Sequence, residues 1–325
     1  MEKRTIIKNI FLLAIFTVIA FGLNTPVSLY AWGGVSPLVS TSWLDKHKGD
    51  KNVVLIDVRT EANYGFAHIP NAVSIPYGKL EPKCAKECYM IPPTKEITRL
   101  FQNAGVNKNS HVVVYAHGNT TSDASKAAAA YWVLKAMGHK KVSMLNGGFT
   151  KWTFEGRVVT NEVPKVKKGN FQAKRNPAAV ADFSEVAKVV QKGGAVLVDA
   201  RNSVQYFGHE KRMDVTCYGH IPGAINLPAD FLNNSGVNRA PATIKDEKDL
   251  ATMVVGVGIP KAKSTPIIVY CNTAQLAGLN YLVLKDILGY QDVKVYDGSM
   301  LEYCKVRGKL PVERFSWSIG SLRNL

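Results

Sequence analysis

The sequence predicts an α/β protein built as two successive domains, each a central, mostly parallel sheet flanked by helices. Length, internal duplication and the alternation of residue types carry that prediction. At 325 residues the chain exceeds what one ordinary core encloses, so about two domains of roughly 150 residues each are expected. Its two halves repeat one another: VVLIDVR (53–59) answers AVLVDAR (195–201), and AHIPNAVSIP (67–76) answers GHIPGAINLP (219–228). VVVYA (112–116) answers IIVYC (267–271), YWVLKAMG (131–138) answers YLVLKDILG (281–289), and VSMLNGGFTKW (142–152) matches VKVYDGSMLEY (293–303). Within each half short β-branched runs alternate with longer amphipathic or Ala-rich segments, the order that gives β-α-β units.

From the N-terminus, Lys3, Arg4 and Lys8 precede an uncharged stretch from Ile10 to Leu23, and small residues follow up to Ala31. That is the pattern of a signal peptide over residues 1–31 with cleavage after Ala31; the apolar run is short for a membrane anchor. Export to a periplasm or secretion is expected, with no stable membrane span after processing. Residues 35–160 form the first domain. The polar, Lys-rich stretch 161–177 reads as a linker, and 178–316 form the second domain. Ala127 to Ala130 read as helix formers with a small packing face. Trp152, Tyr303 and glycines 147, 148 and 298 are expected to close the last turn of each sheet.

The composition is globular, 46% hydrophobic and 20% charged, with a formal charge of +16. Loss of residues 1–31 removes three cations and one anion, leaving about +14, a surface that attracts anions. No basic run interleaved with aromatics and no zinc-finger spacing is present, so nucleic acid is not an expected partner. Five cysteines in an exported chain leave one over. If Cys84, Cys88, Cys217 and Cys304 pair among themselves, three connectivities are open and Cys271 is the remainder. Asp57 with Arg59 and Asp199 with Arg201 recur in both halves and read as structural pairs. His68 and His220 recur likewise and read as turn or packing residues, with a Cys/His dyad the lesser alternative.

The repeat offsets separate the halves. Tyr115 and Ala116 correspond to Tyr270 and Cys271 at a shift of 155, whereas Tyr131 corresponds to Tyr281 at a shift of 150. The loop of the first copy is therefore five residues longer, and its cysteine position holds alanine.

Taken in order and in tandem, D-V-R or D-A-R, then HIP-x-A, then V-Y-C with a tight loop, then L-N-G-G-F-x-x-W resemble the two-domain rhodaneses, or sulfurtransferases. The resemblance spans about Val35 to Phe315. It implies two tandem rhodanese-like domains, the first catalytically silent at Ala116 and the second carrying a persulfide-forming cysteine, Cys271. The implied activity, similar to thiosulfate sulfurtransferase, moves a sulfane sulfur from a small anionic donor such as thiosulfate or 3-mercaptopyruvate to cyanide, a thiol or a redox protein. No metal and no organic cofactor are implied. In this family six loop residues counted from the cysteine suit a sulfur-sized substrate, and Cys271 to Leu276 is six; longer loops mark related phosphatases.

An isolated cysteine is commonly a buried structural residue, but the place of Cys271 in the duplicated motif favours a nucleophile. Sulfur transfer needs a thiolate. A strand end leading into a helix supplies the crevice, unpaired N–H groups and positive dipole end that lower a thiol's pKa, and the reading requires an accessible, unbridged Cys271. Asn272, Thr273, Ala274, Gln275 and Leu276 are the expected anion cradle. The loop CNTAQL departs from C-R-x-G-x-x and C-G-x-G-x-T: Ala274 must take a backbone conformation that glycine enters freely. The substrate-binding arginine of the family falls on Gln205, and Arg212 or Lys211 is the nearby replacement. An alternative from another class is a rhodanese-like binding module or sulfur or selenium carrier with little turnover.

Overall fold

The computed structural model describes residues 34–81, 90–235, 240–305 and 310–318. The expected signal segment and the cysteines at 84 and 88 lie outside the described residues.

Domain 1 contains β1 (Leu38–Val39), β2 (Val53–Asp57), β3 (Val73–Ser74), β4 (His111–Tyr115) and β5 (Val142–Leu145). Domain 2 contains β6 (Val180–Ala181), β7 (Val196–Asp199), β8 (Ile225–Asn226), β9 (Ile267–Tyr270) and β10 (Val293–Tyr296). The sheet orders are β1-β5-β4-β2-β3 and β6-β10-β9-β7-β8, the same order twice, and every pairing is parallel. The central strands β4 and β9 are almost wholly buried. This is why VVVYA and IIVYC read as unbroken apolar runs rather than alternating ones.

Helices α1 (Thr41–His47), α2 (Glu61–Phe66), α3 (Thr94–Asn103), α4 (Thr121–Ala136) and α5 (Gly148–Phe154) flank the first sheet. Helices α6 (Phe183–Lys192), α7 (Ser203–Phe207), α8 (Glu247–Gly256), α9 (Gln275–Tyr281) and α10 (Ser299–Tyr303) flank the second. Several starts are fixed by side-chain caps: Thr120 accepts the Asp123 N–H at the head of α4, and Asn202 accepts the Gln205 N–H at the head of α7. A π-helical stretch, Leu282–Ile287, continues α9.

The two domains meet where α4 lies against α9. Ala127 to Ala130 are buried there, and a Cβ built on Gly278 would sit 2.6 Å from the Ala129 Cα. The alanine run is thus more than a helix former: it is the thin wall that lets two helices of different domains touch along their backbones. One hydrophobic cluster runs from Ile56 and Val114 in domain 1 to Val269 and Val295 in domain 2.

Residues 161–176 carry no helix or strand, yet they lie along domain 1. Gly169 N–H donates to the Gln102 carbonyl and Phe171 N–H to the Val106 carbonyl, while the buried Phe171 ring packs edge-on to Phe101. Of the three connectivities open to the other four cysteines, the described residues contain Cys217–Cys304. Cys271 is free, as expected.

Replacing Gly278 by alanine adds one methyl where no space exists. A loss of about 1–3 kcal/mol is expected from forced separation of the two helices, read as a lower midpoint in thermal or denaturant unfolding.

Candidate active site

Cys271 follows the last residue of β9, at the carboxyl edge of the second sheet, where open parallel sheets place their ligand sites. The chain turns through Asn272, Thr273 and Ala274 and enters α9 at Gln275. Ala274 takes the left-handed conformation, φ 69° and ψ −17°, so alanine tolerates the geometry for which glycine is better suited. No side chain of the loop caps α9. The Ser299 hydroxyl serves instead: it accepts the Cys271 N–H at 3.2 Å and the Ala274 N–H at 3.0 Å and donates to the Tyr296 carbonyl at 2.9 Å. Ser299 is itself left-handed, at φ 48°, where the first copy has Gly148 at φ 58°. Two non-glycine residues in that region, joined by a hydrogen bond beside one thiol, cost about 1–2 kcal/mol each and are the kind of local strain that functional sites retain.

Three backbone amides act on the sulfur. Thr273 N–H donates to Sγ at 3.5 Å, and the nearby Ala277 and Leu276 amides pull its pKa the same way. Of the expected cradle, the Thr273 amide reaches the sulfur while that of Ala274 is taken by Ser299, and the expected accessible thiolate is absent. Cys271 is 1% exposed, and burial pushes its thiol above the ordinary value against the pull of the amides, with the nearby Glu81 carboxylate adding to the rise. Desolvation outweighs the pull of the amides because it acts on the whole thiolate charge. Closure is particular to this half, since beside Ala116 a cavity of about 250 Å³ remains, lined by Arg59, Asn63, Tyr77 and His117.

Domain 1 contributes Tyr77, in the 3₁₀ turn Tyr77–Lys79, and Glu81. The Tyr77 hydroxyl donates to Glu81 Oε2 at 2.6 Å. Burial holds Glu81 well above the usual carboxylate range; Asp297 adds to this, while Tyr77, Arg212 and Thr273 oppose it. Asp297, one residue past the β10 end, accepts the Ile91 N–H at 3.2 Å. Burial raises Asp297 to about 7, against the pull of that N–H and of Arg175 3.9 Å away.

The structure sorts the residues expected from sequence. Asn272 and Gln205 meet, the Asn272 amide donating to Gln205 Oε1 at 2.8 Å, so position 205 does reach the loop without a cation. Asn272 Oδ1 is buried and has no partner among the described residues. Arg212 Nη1 donates to Thr273 Oγ1 at 3.5 Å while its other nitrogens bind Asp214. Lys211 lies over the Tyr218 ring instead. The Cys217–Cys304 bridge and a Thr216 bond to the Cys304 carbonyl anchor the Arg212 segment to the end of α10. Leu276 packs partly buried against the core and offers only its amide. The Gln275 side chain is engaged elsewhere: it donates to the Ser122 carbonyl and hydroxyl across the domain seam, because as the first residue of α9 it faces α4 rather than the thiol.

Asp57–Arg59 and Asp199–Arg201 are buried bidentate pairs whose guanidinium groups also reach the Ala67 and Gly219 carbonyls, as scaffold pairs should. His68 and His220 stack on Tyr64 and Tyr206 and bond their carbonyls, which engages both rings in packing. Sequence reasoning missed Ser299, Tyr77, Glu81 and Asp297. The signal was available in the repeat itself, where the corresponding residues are Gly148, Ala229, Asn233 and Asn146. Among the described residues no three His, Cys, Asp or Glu side chains gather as metal ligands.

Two parallel five-stranded sheets of identical order, with a cysteine-bearing loop on the second, define a tandem rhodanese-like protein. The rhodanese-like domain model matches residues 40–155 and again 182–305, and the chain belongs to that family. It is 32% identical over 283 residues to the sulfur carrier protein TtuD of Thermus thermophilus, covering 83% of this chain and 94% of that protein. It is 30% identical to the 3-mercaptopyruvate sulfurtransferase of Escherichia coli K12, covering 85% and 97%. The crystal structure of the Escherichia coli 3-mercaptopyruvate sulfotransferase SseA superposes with a TM-score of 0.71 at 29% identity, covering 82% of this chain and 99% of that one.

Removing the Ser299 hydroxyl leaves two buried N–H groups without an acceptor. Ser299→Ala is expected to lose about 2 kcal/mol or more of stability, measured by chemical denaturation. Asp297→Asn tests burial of the acid. Because the folded value is about 7 against 3.8 for the ordinary group, the acid form stabilises the fold below about 4 and that contribution is lost as pH rises to about 7. Wild-type stability relative to Asp297→Asn should therefore fall across that window and level off above it, in unfolding curves taken at several pH values.

Proposed function

We propose that the chain is an exported sulfurtransferase. Cys271 takes a sulfane sulfur from a small anionic donor such as thiosulfate or 3-mercaptopyruvate and passes it from a persulfide to a thiophilic acceptor such as cyanide or a thiol. One observation carries the reading: the one free cysteine among the described residues stands at the end of β9, with the Thr273 N–H donating to its sulfur at the turn into α9. The cycle is nucleophilic attack by the Cys271 sulfur on the donor's outer sulfur, expulsion of sulfite or pyruvate, and attack of the acceptor on the terminal sulfur of the persulfide. Asn272, Gln205 and Arg212 stand where an anionic donor would be held, Arg212 supplying the charge-assisted contact that Gln205 does not. Access to the buried sulfur requires displacement of neighbouring groups, and Tyr77 and Glu81 come from the other domain rather than from the sheet that carries the cysteine. Export is supported by the cationic and apolar N-terminal pattern and by the Cys217–Cys304 bridge, since structural disulfides persist chiefly in oxidising compartments.

A second reading, a sulfur carrier with little turnover, is favoured by the burial of Cys271 and by the 32% identity to a protein named as a sulfur carrier.

Incubation with thiosulfate, and separately with 3-mercaptopyruvate, should add the mass of one sulfur atom to the intact protein, and Cys271→Ser should abolish the gain. Repeated thiocyanate formation on adding cyanide identifies an enzyme, whereas loading followed by a single discharge identifies a carrier. No mass gain with either donor removes both readings.

A further inference from the structure

The helices of the domain seam begin together, where Gln275 meets Ser122, and end together, where the Tyr131 hydroxyl donates to Asp286 Oδ2 at 2.8 Å. At that far end, away from the Cys271 loop, lies a cavity of about 230 Å³. Its walls include Lys135, His139 and Lys140 of domain 1 and Tyr281, Lys285 and Asp286 of domain 2. Lys135 and Lys285 hold the same place in the repeated segments YWVLK and YLVLK, so the duplication itself brings two like charges to one space. The Lys285 ammonium donates to the Gln291 carbonyl. Lys135 is buried and has no ion-pair partner among the described residues: its ammonium donates to the Lys140 carbonyl at 3.2 Å and stands 5.3 Å from the Tyr131 ring centroid. An ammonium has three donors, and here one is used.

His139 makes the opposite demand on the same cavity. Its Nε2 lies 2.8 Å from the Ser110 carbonyl, and a carbonyl only accepts, so Nε2 carries the proton. Burial holds the ring below its ordinary pKa and therefore neutral, which leaves Nδ1 as a bare acceptor. His139 is 3% exposed, and Nδ1 has no partner among the described residues. A lysine in the last turn of α4 suits the negative end of that helix and needs no ligand on that account. An orphaned imidazole lone pair is not explained so, since buried polar atoms are ordinarily paired.

We propose that this seam cavity binds a small oxyanion carrying one hydroxyl, hydrogenphosphate being the type, whose charged oxygens accept from Lys135 and whose hydroxyl donates to His139 Nδ1. The volume is below the roughly 300–1,000 Å³ of sites for drug-sized ligands, which fits a single ion rather than an organic cofactor. Three lysines against one aspartate leave the wall two positive charges in excess, the complement of a dianion. Sulfate matches that dianion in shape and charge but has no hydroxyl, and an oxygen lone pair would then face the imidazole lone pair. The bound ion touches residues of both domains and stabilises the folded chain by mass action.

The test is calorimetric titration of the full chain with phosphate and, separately, with sulfate at neutral pH, together with thermal unfolding in each. Phosphate should bind about tenfold or more tightly than sulfate, the discrimination expected when one buried acceptor is left unpaired, and should raise the unfolding midpoint. Lys135→Gln should weaken phosphate binding about tenfold or more, the loss of one charged hydrogen bond. His139→Phe keeps a ring against Phe171 and removes the acceptor, so the preference for phosphate over sulfate should vanish. If Lys135→Gln does not fold, Lys285→Gln is read in the same way. Absence of phosphate binding, equal affinity for the two anions, a preference that survives His139→Phe, or binding lost in Arg212→Gln and kept in Lys135→Gln overturns the proposal.

Discussion

The desolvation of one sulfur atom governs the rest of this structure. Cys271 lies at the end of a central strand, enclosed by its own loop and by groups from the other domain, and its thiol holds its proton more tightly than a free one. Amides directed at the sulfur favour negative charge, and burial disfavours it. The balance decides that the resting group is the thiol. A buried thiol becomes a nucleophile only when something nearby accepts its proton or when an arriving anion changes the field, so the chemistry depends on neighbours that a strand and a loop cannot supply alone.

Those neighbours explain why a half without a nucleophile has a place in the site. Domain 1 has Ala116 where a cysteine would act, yet its hydrogen-bonded Tyr77 and Glu81 lie close enough to act on the charge of Cys271. The seam that permits this is the contact of α4 with α9, where Ala129 and Gly278 bring two backbones together. Small residues there do not enter the chemistry, but they let the two domains approach closely beside the loop that carries the sulfur.

Much of this was legible in the sequence. The alternation of β-branched and amphipathic runs in both copies pointed to two parallel sheets, though not to their strand order, and the offset across the Ala116 and Cys271 loops singled out the second half. Gln205 was legible because the family's substrate-binding arginine falls on its position, and Arg212 because it is a cation a few residues further on. Three things were not legible. Gln275 sits in the loop motif but turns toward Ser122, since the direction of a side chain at a helix start depends on the partner helix and not on loop spacing. The thiol's protonation could not be read because a cradle shows in sequence as a turn, whereas desolvation comes from residues nearly 200 positions away. Tyr77 and Glu81 were passed over because they lie in the half whose motif reads as silent.

The repeat offers a stronger way to read such a site than resemblance does. Ala116 and Cys271, Gly148 and Ser299, Asn233 and Glu81, Asn146 and Asp297 are four pairs in which the fold is constant and the chemistry differs. Residues kept the same in both copies, such as Asp57 with Arg59 and Asp199 with Arg201, make the same bonds in each and belong to the scaffold. Residues that change together with the cysteine gather around it in space. Ser299 holds the loop that carries the sulfur, and the two acids replace amides that already satisfied the backbone. The bonds shared by the two copies belong to the scaffold, and the carboxyl groups that replace amides mark where the chemistry of the halves diverges.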